Sequence, residues 1–231
     1  MKYKDKKRKV GSQSEVPSFK IIGEEVIVSG YQRFSIFKNK KIVFKQKVNK
    51  FEKIKSVLSG LYSDVSSKSI TDIGCSSGLV SFIANSLGYN KIQALDHDTE
   101  YVNIVDSLCG NLDIVNINTS IKQFGDDFEK TDVVLMLALI HWIFSCTSEY
   151  GSFDLIFEEI KEKVGDYLLI EWVDPKDGAI KFFNHTSYNK EVIKEEYSVE
   201  NFEKSILKNF SSIEDRIKLD GEYRVLYIIK K

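Results

Sequence analysis

A glycine-containing segment at residues 72–78 is the part of the sequence best suited to hold a ligand. It reads Asp-Ile-Gly-Cys-Ser-Ser-Gly and joins an apolar run typical of a strand to a run with helical spacing. Glycines at such a junction let the backbone turn sharply and approach a ligand closely. Asp96 ends the next predicted strand about 22 residues after Gly74, the separation at which a carboxylate can accept both ribose hydroxyls of a cofactor. Together the two features predict a nucleoside-binding site.

Each feature alone has a simpler explanation, because glycine loops often arise by chance and Asp96 could be an ordinary acid at a helix N-terminus. The loop also lacks the third glycine of the G-x-G-x-x-G pattern, which lets a helix N-terminus receive a pyrophosphate. Asp72 precedes the first glycine. A carboxylate there suits a ligand with a cationic amine and a sulfonium, so the loop favours a positively charged ligand over a dinucleotide.

Two further polar residues follow apolar runs that predict strands. His141 comes after the strand predicted at residues 132–138, and Glu171 lies near the end of the one predicted at 167–173. Ligands bind at the carboxyl ends of strands in open α/β sheets. An imidazole, with an ordinary pKa of about 6.5, can remove the proton of an attacking hydroxyl, and Glu171 could orient it or bind an acceptor. His141 could equally cap or pack the next helix.

The pattern of residues 72–78, followed by Ala-Leu-Asp at 94–96, resembles the class I, Rossmann-like S-adenosylmethionine-dependent methyltransferases over residues 46–231. The resemblance implies S-adenosylmethionine as cofactor and S-adenosylhomocysteine as product. It places the methionine part in the glycine loop, the ribose at Asp96 and the adenine near His97 and Ser120. Ser76 stands where the family commonly has glycine, and Ser120 where it usually has an acid. The implied cofactor-binding residues are Asp72, Gly74, Cys75, Ser76, Gly78, Asp96, His97, Ser120, Ile121 and Ala138.

Three shorter segments resemble bacterial and viral methyltransferases that act on glycans, nearest to the domains that cap O-antigen polysaccharides. They are Leu-Ala-Leu-Ile-His-Trp at 137–142, Leu-Leu-Ile-Glu-Trp-Val-Asp-Pro-Lys-Asp at 168–177 and Tyr-Arg-Val-Leu-Tyr-Ile at 223–228. The resemblance implies that His141 is the general base of an O-methyltransferase, with Glu171 beside it. Arg224 would face the acceptor, and Trp142 would offer an apolar face to a sugar ring. A core position for Trp142 is an equally good interpretation.

Other residue types give weaker indications of chemistry. Asp96, His97 and Asp98 are adjacent, but no acidic triplet recurs downstream, so we predict no metal site. The three widely spaced cysteines indicate reduced, intracellular thiols, and we expect Cys75 to be a small packed side chain. Residues 31–33 and 46–47 could reach over the cofactor carboxylate, although exposure to solvent is their simpler explanation.

The elements that must position these residues alternate along the chain. Strands are predicted at residues 69–73, 91–95, 113–117, 132–138 and 167–173, and helices at 79–87, 99–108, 153–164 and 199–210. Such alternation implies parallel strands with helical crossovers. Strands at 213–219 and 223–229 are close enough to form an antiparallel hairpin. We therefore predict an α/β fold with a Rossmann-like, seven-stranded, mostly parallel sheet, helices on both faces and an antiparallel terminal hairpin strand.

We predict three regions: a flexible basic tail at residues 1–18, a β-hairpin extension at 19–48 and a methyltransferase domain at 49–231. The tail is rich in lysine, which fits a solvated terminus or a patch that binds polyanions. With 33 basic and 34 acidic residues, the whole chain has no field that attracts nucleic acid or a membrane. No apolar run approaches the roughly 20 residues of a membrane span, so we expect a cytoplasmic protein.

The acceptor is the least determined part of the prediction. A sugar or glycan hydroxyl is the first expectation. An RNA acceptor, suggested by the basic tail, and a small-molecule hydroxyl remain open, as does a non-catalytic cofactor-binding domain. The segments that would choose the acceptor have no readable pattern.

Overall fold

Seven strands form one sheet at the centre of the computed structural model, which describes residues 16–147, 149–181 and 196–231. The strand order is β10-β11-β9-β8-β5-β6-β7. Strands β5 to β9 pair in parallel, whereas β11 runs antiparallel to both β9 and β10. This confirms the predicted fold class. The strands are β5 (Ser69–Ile73), β6 (Lys91–Asp96), β7 (Ile117–Ile121), β8 (Thr131–Met136), β9 (Val164–Val173), β10 (Ser212–Lys218) and β11 (Arg224–Lys230).

Helices cover both faces of this sheet because each has one apolar face to bury. The helices α1 (Val48–Gly60), α2 (Leu79–Leu87) and α3 (Thr99–Asn111) share one buried cluster. The helices α4 (Ile140–Cys146), α5 (Phe153–Ile160) and α7 (Val199–Asn209) share the other cluster with the opposite face. A 3-10 turn at Lys161–Lys163 follows α5, and the short helix α6 spans Gly178–Lys181. Because β5 to β9 pair in parallel, their carboxyl ends lie at one edge of the sheet.

The N-terminal extension is a four-stranded antiparallel sheet, so the predicted hairpin was too small. Its strands are β1 (Ser18–Ile22), β2 (Glu25–Ser29), β3 (Phe34–Phe37) and β4 (Ile42–Phe44), paired in that order. The sequence analysis missed β1, an edge strand that is mostly exposed and has no alternating pattern. Val26, Val28, Phe34 and Ile36 are buried in the same cluster as α1 and α2. The extension therefore shares the core of the larger sheet.

The third parallel strand lies four residues beyond its predicted place. Residues 113–116 belong to the turn that ends α3, where Asp113 has a φ of 55° and the N–H of Ile114 donates to Cys109 O at 3.0 Å. Strand β7 begins at Ile117, which pairs with Ile92 of β6. Ile114 is buried and Val115 is exposed, an alternation that this turn shares with a strand, and β-branched residues are common in strands.

Candidate active site at the carboxyl ends of the strands

The predicted loop at residues 72–78 connects β5 to α2 and turns through left-handed backbone. Gly74, Ser76 and Gly78 have φ values of 71°, 51° and 79°. A Cβ on Gly78 would lie 2.8 Å from Val105 Cγ2, so glycine is required there for α2 to pack against α3. Ser76 adopts a conformation that costs a non-glycine residue roughly 1–2 kcal/mol. This strain explains why glycine is common at that position.

The first half of the loop is fixed by the next strand. The N–H groups of Gly74 and Cys75 donate to Leu95 O at 2.8 and 3.0 Å. The N–H of Ser76 donates to Asp96 Oδ2 at 2.9 Å. Asp96 therefore shapes the loop as well as lying beside it, a role that the sequence spacing did not reveal.

The second half of the loop is also satisfied by protein groups. The N–H of Gly78 donates to Cys75 O at 2.9 Å. The N–H of Leu79, the first residue of α2, donates to Gln32 Oε1 at 3.1 Å. Five of the six backbone N–H groups from Gly74 to Leu79 thus have protein acceptors. A loop that cradles phosphate must instead aim these donors at its ligand.

Asp72 is a buried carboxyl at the start of the loop. Burial raises its pKa to about 6; the Ser81 hydrogen bonds oppose this rise, and the negative charge of Asp96 adds to it. Ser81 Oγ donates to Asp72 Oδ2 at 2.8 Å. A buried carboxylate with no cationic partner close by is stabilised when a cation binds beside it. Asp72 can therefore hold an ammonium group.

Asp96 is a buried carboxylate that stays charged. Burial by itself would raise its pKa, but hydrogen bonds from His97 and from the N–H groups of Asp98 and Ser76 outweigh this effect and lower the pKa. Oδ2 accepts from the N–H of Ser76, whereas Oδ1 accepts from the N–H of Asp98 and from His97, so Oδ2 keeps a further lone pair for a ligand hydroxyl. His97 is mostly exposed, with Nδ1 3.3 Å from Asp96 Oδ1.

Ser120 and Ile121 are the last two residues of β7, although the sequence placed them after the strand. They pair with Leu95 and Asp96 in the sheet, so they lie beside the end of β6. Ile121 is exposed. Together with His97, these residues form the outer part of the edge, next to Asp96.

A cleft opens beside Asp72, lined by the loop, by the two residues after β8 and by the N-terminal segment. Of the predicted residues it contains Asp72, Gly74, Ser76 and Ala138. Ala138 has a φ of 52°, because the chain turns there between β8 and α4. Six residues of the N-terminal segment also line the cleft: Tyr31, Gln32, Gln46, Lys47, Lys50 and Phe51. Exposure to solvent had been the simpler explanation for the first four, and no role had been predicted for the last two.

Lys47 contributes a positive charge to this cleft. It is the N-cap residue of α1 and has left-handed backbone with a φ of 47°. Its Nζ lies 5.1 Å from the ring centroid of Tyr31. Within the described ranges Lys47 forms no ion pair, so its ammonium is available to an anionic group. The cleft thus has a carboxylate at Asp72 and an ammonium at Lys47.

His141 lies in the first turn of α4 and is buried. Burial lowers its pKa to about 4, and the positive charges of Arg224 and Lys50 lower it further, whereas Glu171 and Asp177 raise it. The imidazole is therefore neutral at pH 7. A neutral imidazole can accept a proton, which a general base requires.

Four charged side chains form a buried network near His141, which we call the charged quartet: Lys50, Glu171, Arg224 and Asp177. Lys50 Nζ donates to Glu171 Oε2 at 2.6 Å, and Arg224 Nη1 to Glu171 Oε1 at 3.1 Å. Arg224 also donates to Asp177 from Nε at 2.9 Å and Nη2 at 3.2 Å. Both oxygens of Glu171 thus accept from cations, which makes it a structural anchor for Arg224. The sequence analysis missed Lys50 and Asp177.

Trp142 is 43% exposed. Its ring centroid lies 5.8 Å from that of His141. The core interpretation of Trp142 is therefore wrong, because a packed core residue would be covered. A partly exposed aromatic ring lies beside the candidate base.

The described residues contain no group of three or more possible metal ligands close together. Burial raises the pKa of the Cys75 thiol well above its usual range and that of Cys109 to about 12, so both thiols are unreactive at pH 7. Among the residues that the structure describes, no helix is long and apolar enough to cross a membrane.

The sequence matches no family model and no curated protein. Solved structures are similar in fold. Magnesium protoporphyrin IX methyltransferase from Synechocystis PCC 6803 with bound SAM superposes with a TM-score of 0.58 and 15% identity, over 80% of each chain. A SAM-dependent methyltransferase from Aquifex aeolicus gives 0.55 and 15%, over 80% of this chain and 90% of its own. The N-methyltransferase NodS from Bradyrhizobium japonicum WM9 gives 0.56 and 11%, over 81% and 97%. This chain has the fold of those methyltransferases.

Proposed function

We propose that the protein is an S-adenosylmethionine-dependent methyltransferase. The observation that carries this proposal is the loop at residues 72–78, whose backbone donors are used inside the protein while a buried carboxylate lies at its start. Such a loop suits a nucleoside with a cationic amine and disfavours a pyrophosphate. Methyltransferases that share the fold include one solved with bound SAM and the same protein with SAH.

The residues of the site fit the parts of this cofactor. Asp72 would hold the methionine ammonium, and Lys47, which lines the same cleft, would hold the carboxylate. Asp96 would accept the ribose hydroxyls, as expected from its charged state. His97, Ser120 and Ile121, at the ends of β6 and β7, would surround the adenine. When bound, the cofactor supplies an electrophilic methyl group.

His141 is proposed as the general base. Its imidazole is neutral at pH 7 and can take the proton from an acceptor hydroxyl as that oxygen loses electron density. With a pKa of about 4, it is too weak to deprotonate a resting alcohol, so proton transfer must accompany the reaction of the oxygen. Arg224, held by Glu171 and Asp177, would orient the acceptor.

We propose a sugar or glycan hydroxyl as the acceptor. The support is the exposed ring of Trp142 beside His141, since an apolar aromatic face with a polar partner suits a sugar ring. The names of the similar structures include a protoporphyrin methyltransferase and an N-methyltransferase. The acceptor proposal therefore depends on Trp142 and His141 alone.

A transfer assay with methyl-labelled cofactor tests the proposal over a panel of oligosaccharides, RNA oligonucleotides and small phenols. We expect label in an oligosaccharide. Trp142→Ala should raise the KM for that acceptor, whereas Leu207→Ala, which truncates an exposed residue of α7, should not change it. Label in RNA or phenols only would contradict the glycan acceptor, and no transfer to any class would contradict catalysis.

A further inference from the structure

Gln32 reaches from the N-terminal sheet to the glycine loop. It lies in the segment between β2 and β3, and its side chain is buried, with 9% of the residue exposed. Its Oε1 accepts from the N–H of Leu79 at 3.1 Å. Leu79 begins α2 directly after Gly78. Gln32 also lines the cleft that contains Asp72 and Ser76.

The segment that carries Gln32 is fixed on both sides. Gln46 Nε2 donates to Tyr31 O, which holds the residue before Gln32. Phe34, two residues after it, is fully buried and lies 6.1 Å from the ring of Phe82 in α2. The Gln32 amide is therefore held in place against the first turn of α2.

Helix N-termini bind anions because their first N–H groups lack intrahelical acceptors. After a glycine loop, this is the position that receives the pyrophosphate of a dinucleotide. In this protein a neutral amide oxygen occupies it. A phosphate could reach the Leu79 N–H only by displacing a buried side chain.

We propose that Gln32 is a specificity-determining and positioning residue of the cofactor site. Its amide fills the anion position at the start of α2, fixes the loop through Leu79 and so selects a nucleoside ligand that lacks phosphate. This inference rests on the proposed cofactor role of the loop at residues 72–78.

Calorimetry with two probes, S-adenosylhomocysteine and ADP, tests this inference. Wild-type protein should bind S-adenosylhomocysteine and show no binding of ADP. In Gln32→Ala we expect the Kd for S-adenosylhomocysteine to rise roughly tenfold, because the Leu79 N–H loses its acceptor and the loop loosens. ADP binding should become measurable because the helix N-terminus opens. The ratio of the ADP Kd to the S-adenosylhomocysteine Kd should fall at least tenfold below its wild-type lower bound, which the detection limit for ADP sets.

Two further variants separate specificity from folding. Gln32→Met keeps the length of the side chain but has no acceptor oxygen; it should weaken S-adenosylhomocysteine similarly and still exclude ADP. Gln93→Met is the matched control, since Gln93 is 8% exposed and donates to Thr71 and to Glu129 O. It should lower the thermal stability without changing the affinity for either probe.

The outcomes distinguish this inference from the proposed function. If wild-type protein binds S-adenosylhomocysteine but folded Gln32→Ala and Gln32→Met keep its affinity and the ADP ratio, the role of Gln32 is wrong and the cofactor site stands. Equal losses of affinity in Gln93→Met would also overturn it. If wild-type protein does not bind S-adenosylhomocysteine, the cofactor site itself is wrong, and the inference falls with it.

Discussion

Asp72 and His141 are buried ionisable residues, and the pKa of each is shifted in the direction that favours its neutral form. Burial raises the pKa of Asp72 to about 6 and lowers that of His141 to about 4. At pH 7 Asp72 is charged without a cation beside it among the described residues, and His141 is a neutral base. The charged state of Asp72 costs folding energy, which the binding of a cationic group can offset.

Asp72→Asn should make the protein more stable at pH 7. The folded-state pKa of about 6 lies above the unfolded value of 3.8, so the protonated carboxyl of Asp72 favours the folded state. Its contribution to the free energy of unfolding is complete below pH 3.8 and is lost as the pH rises through 6. The charged form then costs about 3 kcal/mol. Thermal unfolding should show a raised Tm at pH 7, with weaker binding of S-adenosylhomocysteine. A lower Tm with unchanged affinity would contradict the proposed role.

His141→Gln should lower kcat by about 10²–10⁴ while the Kd for S-adenosylhomocysteine stays within about threefold. In wild-type protein the imidazole is neutral above its pKa of about 4, so kcat/KM should have no inflection from His141 near pH 6.5. The pH profile between 5 and 8 checks this directly. Full turnover in the variant would exclude His141 as the base.

The sequence predicts those residues of the candidate site that lie within one local pattern of the chain. Asp72, Gly74, Gly78 and Asp96 follow from spacing along two βα units. Gln32 and Lys47 lie in segments for which the sequence favoured exposure to solvent over a place at the cofactor, because only the packing of the N-terminal sheet brings Gln32 to Leu79. Lys50 and Asp177, for which no role was predicted, also reach the site through contacts distant in sequence.

Among the elements, the close contact of α2 with α3 depends on Gly78. Gly78→Ala combines a left-handed φ of 79° with a Cβ 2.8 Å from Val105, so we expect a loss of about 2–4 kcal/mol and weaker cofactor binding. Gly60→Ala is the control, since no atom lies within 4 Å of its Cβ position; it should be neutral or slightly stabilising. Equal stability of the two variants, measured by urea unfolding, would contradict this packing.

Helix α1 is joined to β9 through the Lys50–Glu171 pair at 2.6 Å. Lys50→Met should cost about 3 kcal/mol, because it leaves Glu171 buried with only Arg224 as a partner. Lys45→Met, which breaks an exposed pair with Glu25 at 3.9 Å, should cost less than about 1 kcal/mol. Unfolding in urea compares them; a cost for Lys50→Met no larger than the control would contradict the buried linkage.

The alternation of strands and helices was predictable because, within each element, apolar residues recur at one constant spacing. The exceptions have physical causes. Strand β1 is exposed and lacks alternation. The turn after α3 buries Ile114 and exposes Val115, an alternation that resembles a strand. Helix α4 is only Ile140–Cys146, too short for its period to be recognised.

In the whole molecule, the N-terminal sheet is part of the site. It shares the core with α1 and α2. The segment before β3 (Tyr31 and Gln32) and the segment after β4 (Gln46 and Lys47) line the cleft together with the glycine loop. The parallel sheet provides the carboxylates Asp72 and Asp96, and the N-terminal segment provides Gln32 and Lys47. The cofactor would be held between the two sheets.

The most direct test of this account is calorimetry of the wild-type protein with S-adenosylhomocysteine and, separately, with NAD. We expect saturable one-to-one binding of S-adenosylhomocysteine, weakened in Asp96→Asn because the ribose loses a charged acceptor, and no binding of NAD. Binding of NAD in preference to S-adenosylhomocysteine, or no binding of S-adenosylhomocysteine at all, would contradict the central claim that the loop at residues 72–78 holds a methyl donor.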